Sequence, residues 1–256
     1  MKFILVALLL LGGCAYQKLA VKQLDNILEI ETASRLDLYR SQKKVLEADI
    51  SVFLRTQKPH IERLKALINE LDPAKVEAID GWWQKLISEY QRIATEYSAI
   101  LAKHLVTLDS KQRQAFFERM KRDNEDIRKK MGEQSVERLT DRAEYFFGDL
   151  NSAQIKALEA HLPQVKARSE ARLQRREDLY NKLLTLLNSE ALGPEIERKT
   201  LEAFSDFQSQ TLSQNASAGA LIKELSLAST PEQHAHFRNK RKELSELIDI
   251  FVTTDF

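Results

Sequence analysis

Glycine and proline let a chain reverse tightly, and here seven glycines and five prolines serve 256 positions. A sheet protein needs a turn every roughly 8–12 residues, usually marked by those two residue types in clusters. Instead they are scattered along the chain, and between them apolar residues recur at spacings of three and four. That period is the mark of amphipathic helix. Charged residues make up 30% of the chain and aromatics 7%, which suits long helices with wet outer faces. The expectation is an all-α fold: about seven long amphipathic helices in antiparallel hairpins, forming an elongated helical bundle.

In order, Leu24, Ile27, Leu28, Leu36, Leu38, Val45, Leu46, Ile50, Phe53 and Leu54 mark a first helix, which Pro59 ends or kinks. A run over Ile61, Leu64, Leu67, Ile68 and Leu71 follows, and Asp72-Pro73 reads as an N-cap with proline at the first helical position. The next helix carries Val76, Ile79, Trp82, Trp83 and Tyr97 and runs to about Leu105. Further helices are expected from Ser110 to about Phe147, closed by Gly148, and from Ser152 to about Asn188, bent at Pro163. Gly193-Pro194 separates these from Glu195 to Leu227, and a last helix ends near Val252. Asp109 with Gln112, Asn151 with Gln154 and Thr230 with Gln233 have the spacing of the capping box, in which a polar side chain and a glutamine three residues on satisfy each other's backbone N–H groups.

The N-terminus carries an address. Lys2, the apolar run Phe3 to Leu11 and the small residues Gly12 and Gly13 have the layout of a secretory signal. The run is far short of the roughly 20 apolar residues that span a bilayer. Leu11-Gly12-Gly13-Cys14 resembles the lipobox of bacterial lipoproteins. The resemblance implies cleavage before Cys14 and acylation of that residue; an ordinary signal with a chance cysteine is the alternative. Several acyl chains, at about 0.8 kcal/mol per buried CH2, make a stable anchor. With Ala15 rather than aspartate next, the resemblance implies the outer membrane, periplasmic face. The expected organisation is 1–13 removed signal, 14–25 lipidated tether and 26–256 helical domain. Cys14 is the only cysteine, so no disulfide can form within the chain.

The formal charge is +1, giving no net field to draw nucleic acid. Neither His-Glu-x-x-His, Gly-x-Ser-x-Gly nor a phosphate loop occurs among the residues. Glu232 and His236, four apart, are the best metal pair, but a site needs further ligands. No catalytic, cofactor-binding or metal residue is therefore assigned. Arg168, Arg172, Arg175 and Arg176, and the run Arg238 to Lys242, are interleaved with acidic residues and read as solvated faces, with lipid phosphates as the alternative partner. Trp82-Trp83, Phe116-Phe117 and Phe146-Phe147 read as packing between helices, with an exposed contact patch as the alternative.

Leu108 to Gln112 and Leu150 to Gln154, about forty residues apart, resemble the LTxxQ pattern of the periplasmic Spy/CpxP family, with Asp or Asn in place of Thr. Spy-type proteins are much shorter and lack a lipobox. The whole chain is more similar to an uncharacterised proteobacterial family of all-helical lipoproteins, a domain of unknown function. The segments that carry this are Asp37 to Lys43, Gln112 to Asn124, Arg142 and Leu150 to Leu187. The Spy-like resemblance implies a chaperone-like holding factor, in which charge attracts unfolded or partner proteins and weak apolar contacts hold them. A structural or assembly scaffold for an envelope complex, with no client, is the alternative; a hydrolase or metal enzyme has no supporting motif.

Overall fold

In a computed structural model, residues 14–189, 193–213 and 216–256 are described, together with all side chains from Gln17 on except those of residues 212, 213, 216 and 217. The signal at 1–13 and the Cys14 side chain lie outside the described residues. The described chain is all-helical: α1 Cys14–Lys22, α2 Leu24–Leu36, α3 Arg40–Glu70, α4 Ile79–Leu105, α5 Ser110–Met131, α6 Val136–Phe147, α7 Ser152–Leu187, α8 Pro194–Ser213, α9 Ala216–Leu227 and α10 Pro231–Thr253. These ten among the described residues stand against about seven expected from sequence.

The difference is one of breaks. Asp37 sits in the left-handed region at φ 51°, which a short polar side chain tolerates. There the Leu38 N–H donates to the Ala33 carbonyl at 3.0 Å and the Asp37 N–H to Ser34 at 3.4 Å, so the chain stops after Leu36. Gly132 to Gln134 interrupt the expected 110–147 helix, and Ser135 restarts it by accepting from the Arg138 N–H at 3.3 Å. Pro59 and Pro163 lie inside the continuous helices α3 and α7, so Pro59 does not end its helix and residues 152–187 form the single helix expected. An interior proline costs ~3 kcal/mol, a sum that packing along a long helix can offset. Asp72-Pro73 makes a turn rather than a cap: Asp72 accepts from the Ala74 N–H at 3.0 Å, a 3-10 turn spans Val76–Ala78, and α4 begins only at Ile79. Residues 14–22 of the expected tether are themselves helical, with Gln17, Ala20 and Val21 buried and α1 packed on α10.

Long-range pairing repeats along the chain. Helix α2 packs on α3 and α5, as α6 packs on α7 and α10; α3 packs on α4, as α7 packs on α8 and α9. The two sets are then crossed, α5 lying on α7 and α10 on α3, while α4 meets α8 and α9 between them. Contacts from α3 run in opposite numerical order along both its long neighbours. Asp49 meets Lys103, Arg63 meets Glu89 and Glu70 meets Lys85 on α4; Lys58 meets Thr254 just past α10, and Lys65 and Asn69 meet Asp249 and Ser245 on it. The core they enclose is aliphatic, with Leu46, Ile50, Leu54, Leu105, Leu183 and Leu187 almost wholly excluded from water. At ~1.5–3 kcal/mol for each such side chain, this burial is the main stabilising term.

Candidate functional site

The glutamine helix starts come together in pairs. At the first pair, the Gln112 N–H donates to Asp109 Oδ1 at 2.9 Å and the Asp109 N–H to Gln112 Oε1 at 3.1 Å, closing the expected capping box. Gln112 Nε2 then reaches across to Gln42 Oε1 at 2.8 Å and to the Asp37 carbonyl at 2.7 Å. Gln42 returns the contact: its Oε1 accepts from the Tyr39 N–H at 2.9 Å and its Nε2 donates to the Thr107 carbonyl at 3.2 Å. The second pair repeats this. Gln233 Nε2 donates to Gln154 Oε1 at 2.8 Å and to the Asp149 carbonyl at 2.6 Å, and Gln154 Nε2 donates to the Leu225 carbonyl at 2.9 Å. Asn151 and Thr230 close their own boxes.

Each glutamine thus closes its own helix start and clasps another. Gln112, Gln154 and Gln233 are buried, and buried amides are held in place by full hydrogen bonding. The motif's polar atoms are spent inside the fold. The Tyr39–Gln42 start was not read as a box because tyrosine is no capping side chain. Its signal was there in Asp37-Leu38 and Gln42, which repeat Asp149-Leu150 and Gln154.

Other candidates are also engaged. Glu232 and His236 line a shallow cleft beside the second clasp, and His236 Nε2 lies 3.3 Å from the Tyr145 carbonyl. Among the described residues, no three His, Cys, Asp or Glu side chains are grouped to hold a metal. Arg241 donates to the carbonyls of Asn69 and Leu71 at the end of α3, where a cation also suits the helix dipole. Phe117 and Phe147 are buried, each against a ring of a distant helix, Tyr180 and Phe237. Trp82 donates to the Leu67 carbonyl at 2.6 Å, while Trp83 lies against Gly219 so closely that a Cβ there would stand 3.0 Å from the ring. The aromatic pairs therefore pack between helices, the reading made from sequence, with Phe146 and Phe147 both meeting Phe237 of α10.

A concavity with a largely apolar wall lies among α2, α4, α5, α7 and α8, and has a volume of about 160 Å³. Leu101, Phe116, Met120, Leu179, Phe204 and Phe207 line it, with Arg35, Arg172 and Arg176. This corrects the solvated-face reading for Arg172 and Arg176. They stand one turn apart on α7, and continue the stripe on which Leu179 and Leu183 follow. Arg176 is 7% exposed and donates from Nε to Asn124 Oδ1 at 2.9 Å. Burial depresses the pKa of both guanidiniums, and the charge of Arg172 lowers Arg176 further. The two carboxylates of the lining, Glu31 and Asp123, are each bonded by Arg35 at 2.7 Å. Burial works to raise the Asp123 carboxyl, but the hydrogen bond and charge of Arg35 hold it below the usual range.

No helix among the described residues is long and apolar enough to cross a membrane. Compared with models of protein families, with curated proteins and with solved structures, the chain finds no match, and its function is argued from its own geometry.

Proposed function

We propose that the chain is a non-enzymatic holding protein of the cell envelope, acylated at Cys14, kept at the periplasmic face of the outer membrane, and binding unfolded or partner proteins. The carrying observation is where large apolar side chains stand in water: Leu19, Ile30, Tyr39, Val45 and Val52 all belong to the segment α1 to α3, next to the anchor, with Leu227 apart. Exposed Lys22, Lys43, Lys44 and Glu47 are set among them. Single apolar contacts within a field of mixed charge hold a non-native chain without trapping it. Buried Gln17, Ala20 and Val21 would hold the helical body close to a lipid on Cys14, since they leave no long spacer between the two. An elongated bundle of antiparallel hairpins belongs to the same proposal, because it would spread those contacts along a client.

The test is aggregation of a chemically unfolded client at equal concentration, without ATP, in the presence of the Cys14→Ser protein. Suppression is expected, and it should weaken at least twofold in V45S/V52S with unchanged melting. Absence of suppression would overturn the holding role in favour of an assembly scaffold, to be sought by pulling envelope partners from intact membranes. In parallel, Cys14→Ser should move the protein out of the detergent phase.

A further inference from the structure

The repeat in helix pairing goes down to single contacts. Gln42 and Gln154 lie in the first turns of α3 and α7, and Gln112 and Gln233 in those of α5 and α10. At the offset that relates Gln42 to Gln154, buried Leu46 and Ile61 correspond to buried Leu158 and Leu173, and Asp49 corresponds to His161. Asp49 accepts from Lys103 on α4 at 2.7 Å; His161 lies 3.1 Å from Glu224 on α9, which corresponds to Lys103 at the offset relating Gln112 to Gln233. Arg128 on α5 meets Glu177 on α7, and at the corresponding places Asp249 on α10 meets Lys65 on α3. Buried Asn124 on α5 bonds Arg176 on α7, and its counterpart on α10, buried Ser245, bonds Asn69 on α3. In both ion pairs acid and base change places, so position is kept where residue type is not. Capping is local and would repeat only the helix starts, not contacts many turns along.

Each set sends its last helix across to the other, and α4 faces α8 and α9, so exchanging the two sets returns the same pairs. That is the isologous pattern of a two-fold dimer. The chain passes from one set to the other only through residues Gly132 to Ser135, between α5 and α6. We propose that α2 to α5 and α6 to α10 are two copies of one unit, each built as the other's partner, and that a second copy of this chain can supply that partner. Two chains opened at Gly132 to Ser135 exchange units and close into a dimer with two complete crossed cores. A short hinge favours this route, because a stiffened connection holds the units of one chain apart and leaves their faces intact. The exchange uses the contacts between units and not the client-holding surface. It gives a dimer carrying Cys14 and the α1 to α3 surface twice, which strengthens attachment through avidity.

The test refolds the full chain, as Cys14→Ser, from urea at low and at high micromolar concentration, using an equal mixture of natural and heavy-nitrogen-labelled chains. Monomer is expected when dilute, with a dimer fraction that grows with concentration and persists on dilution in native buffer, because separation requires the units to open. G132A/E133A/Q134A, which favours helix across the hinge, should raise the dimer fraction at least fivefold. A Gly/Ser insertion of about ten residues at Gly132 should lower it as much, since a long flexible hinge lets one chain close on itself. Helix content by dichroism checks that each variant folds. Carbodiimide can join Lys65 to Asp249, which sit on different units, and in the dimer the joined peptides should include pairs of one light and one heavy chain. Joined peptides of like mass alone would mean dimers formed by surface contact and would overturn the proposal. So would a dimer fraction indifferent to the hinge, or monomer alone at every concentration in the natural hinge and the alanine variant alike.

Discussion

At the scale of single residues, the pair with the clearest pH signature is His104 and Asp49, which tie α4 to α3. His104 is 3% exposed, and its Nε2 lies 2.9 Å from Asp49 Oδ2, a carboxylate that Lys103 also bonds. Burial depresses the imidazole pKa below its ordinary value of about 6.5; Asp49 pulls it back only in part, and the Lys103 charge lowers it again. In the unfolded chain the same ring takes a proton near pH 6.5, so on acidification the unfolded state binds more protons than the native one. Stability from this group is therefore complete above about pH 6.5 and is lost as pH falls from there through the folded pKa. For Asp49 burial works upward, but the bonds from Lys103 and His104 bring it below its ordinary 3.8, so its share is lost only at lower pH. Urea midpoints between pH 7.5 and 5 should decline in the natural protein and decline less in His104→Gln, whose amide can donate to Asp49 without titrating. Equal slopes in the two proteins would assign the acid sensitivity to other groups.

At the scale of elements, the glutamine clasps set which helix starts lie together, and their cost of removal follows from burial. Gln154→Met keeps length and volume but leaves the Asn151 N–H, the Gln233 amide and the Leu225 carbonyl without that partner. Each buried group so orphaned costs about 1–3 kcal/mol, and a loss of at least ~2 kcal/mol is expected from urea unfolding. Gln42→Met should cost less, because Gln42 is only half-buried and water can replace it. The double change Gln154→Met with Gln233→Met should cost less than the two alone, since the partners vanish together. Additive losses would mean the amides act separately. The starts at Asp109, Asn151 and Thr230 were legible because capping is a local interaction of residues three apart. Pro59 left open whether a helix ended or bent there, because a local penalty is set against packing that no local pattern reports. The cleft was hidden for the same reason, being assembled from five helices. One trace of it stood in the sequence: Arg172 and Arg176 occupy the apolar stripe continued by Leu179 and Leu183. Glu170 and Glu177, interleaved with them, made that stretch read as a wet face.

At the scale of the whole molecule, the crossed pairing bears on how the chain comes apart. If α2 to α5 and α6 to α10 each kept to themselves, two transitions would be natural. Instead α5 lies on α7, α10 on α3, and α4 meets both α8 and α9. Leu46, Leu105, Leu183 and Phe251, drawn from both sets, belong to one buried cluster. Freeing either set strips apolar surface from the other, at ~25 cal/mol per Å² exposed, so neither gains much by surviving alone. The expected outcome is one cooperative transition. Both tryptophans lie on α4, at the junction of the two sets, so their fluorescence reports the crossing while far-UV dichroism reports total helix. In urea the two signals should share a midpoint and a slope. Two separated midpoints would mean that the crossed contacts are weaker than those within each set.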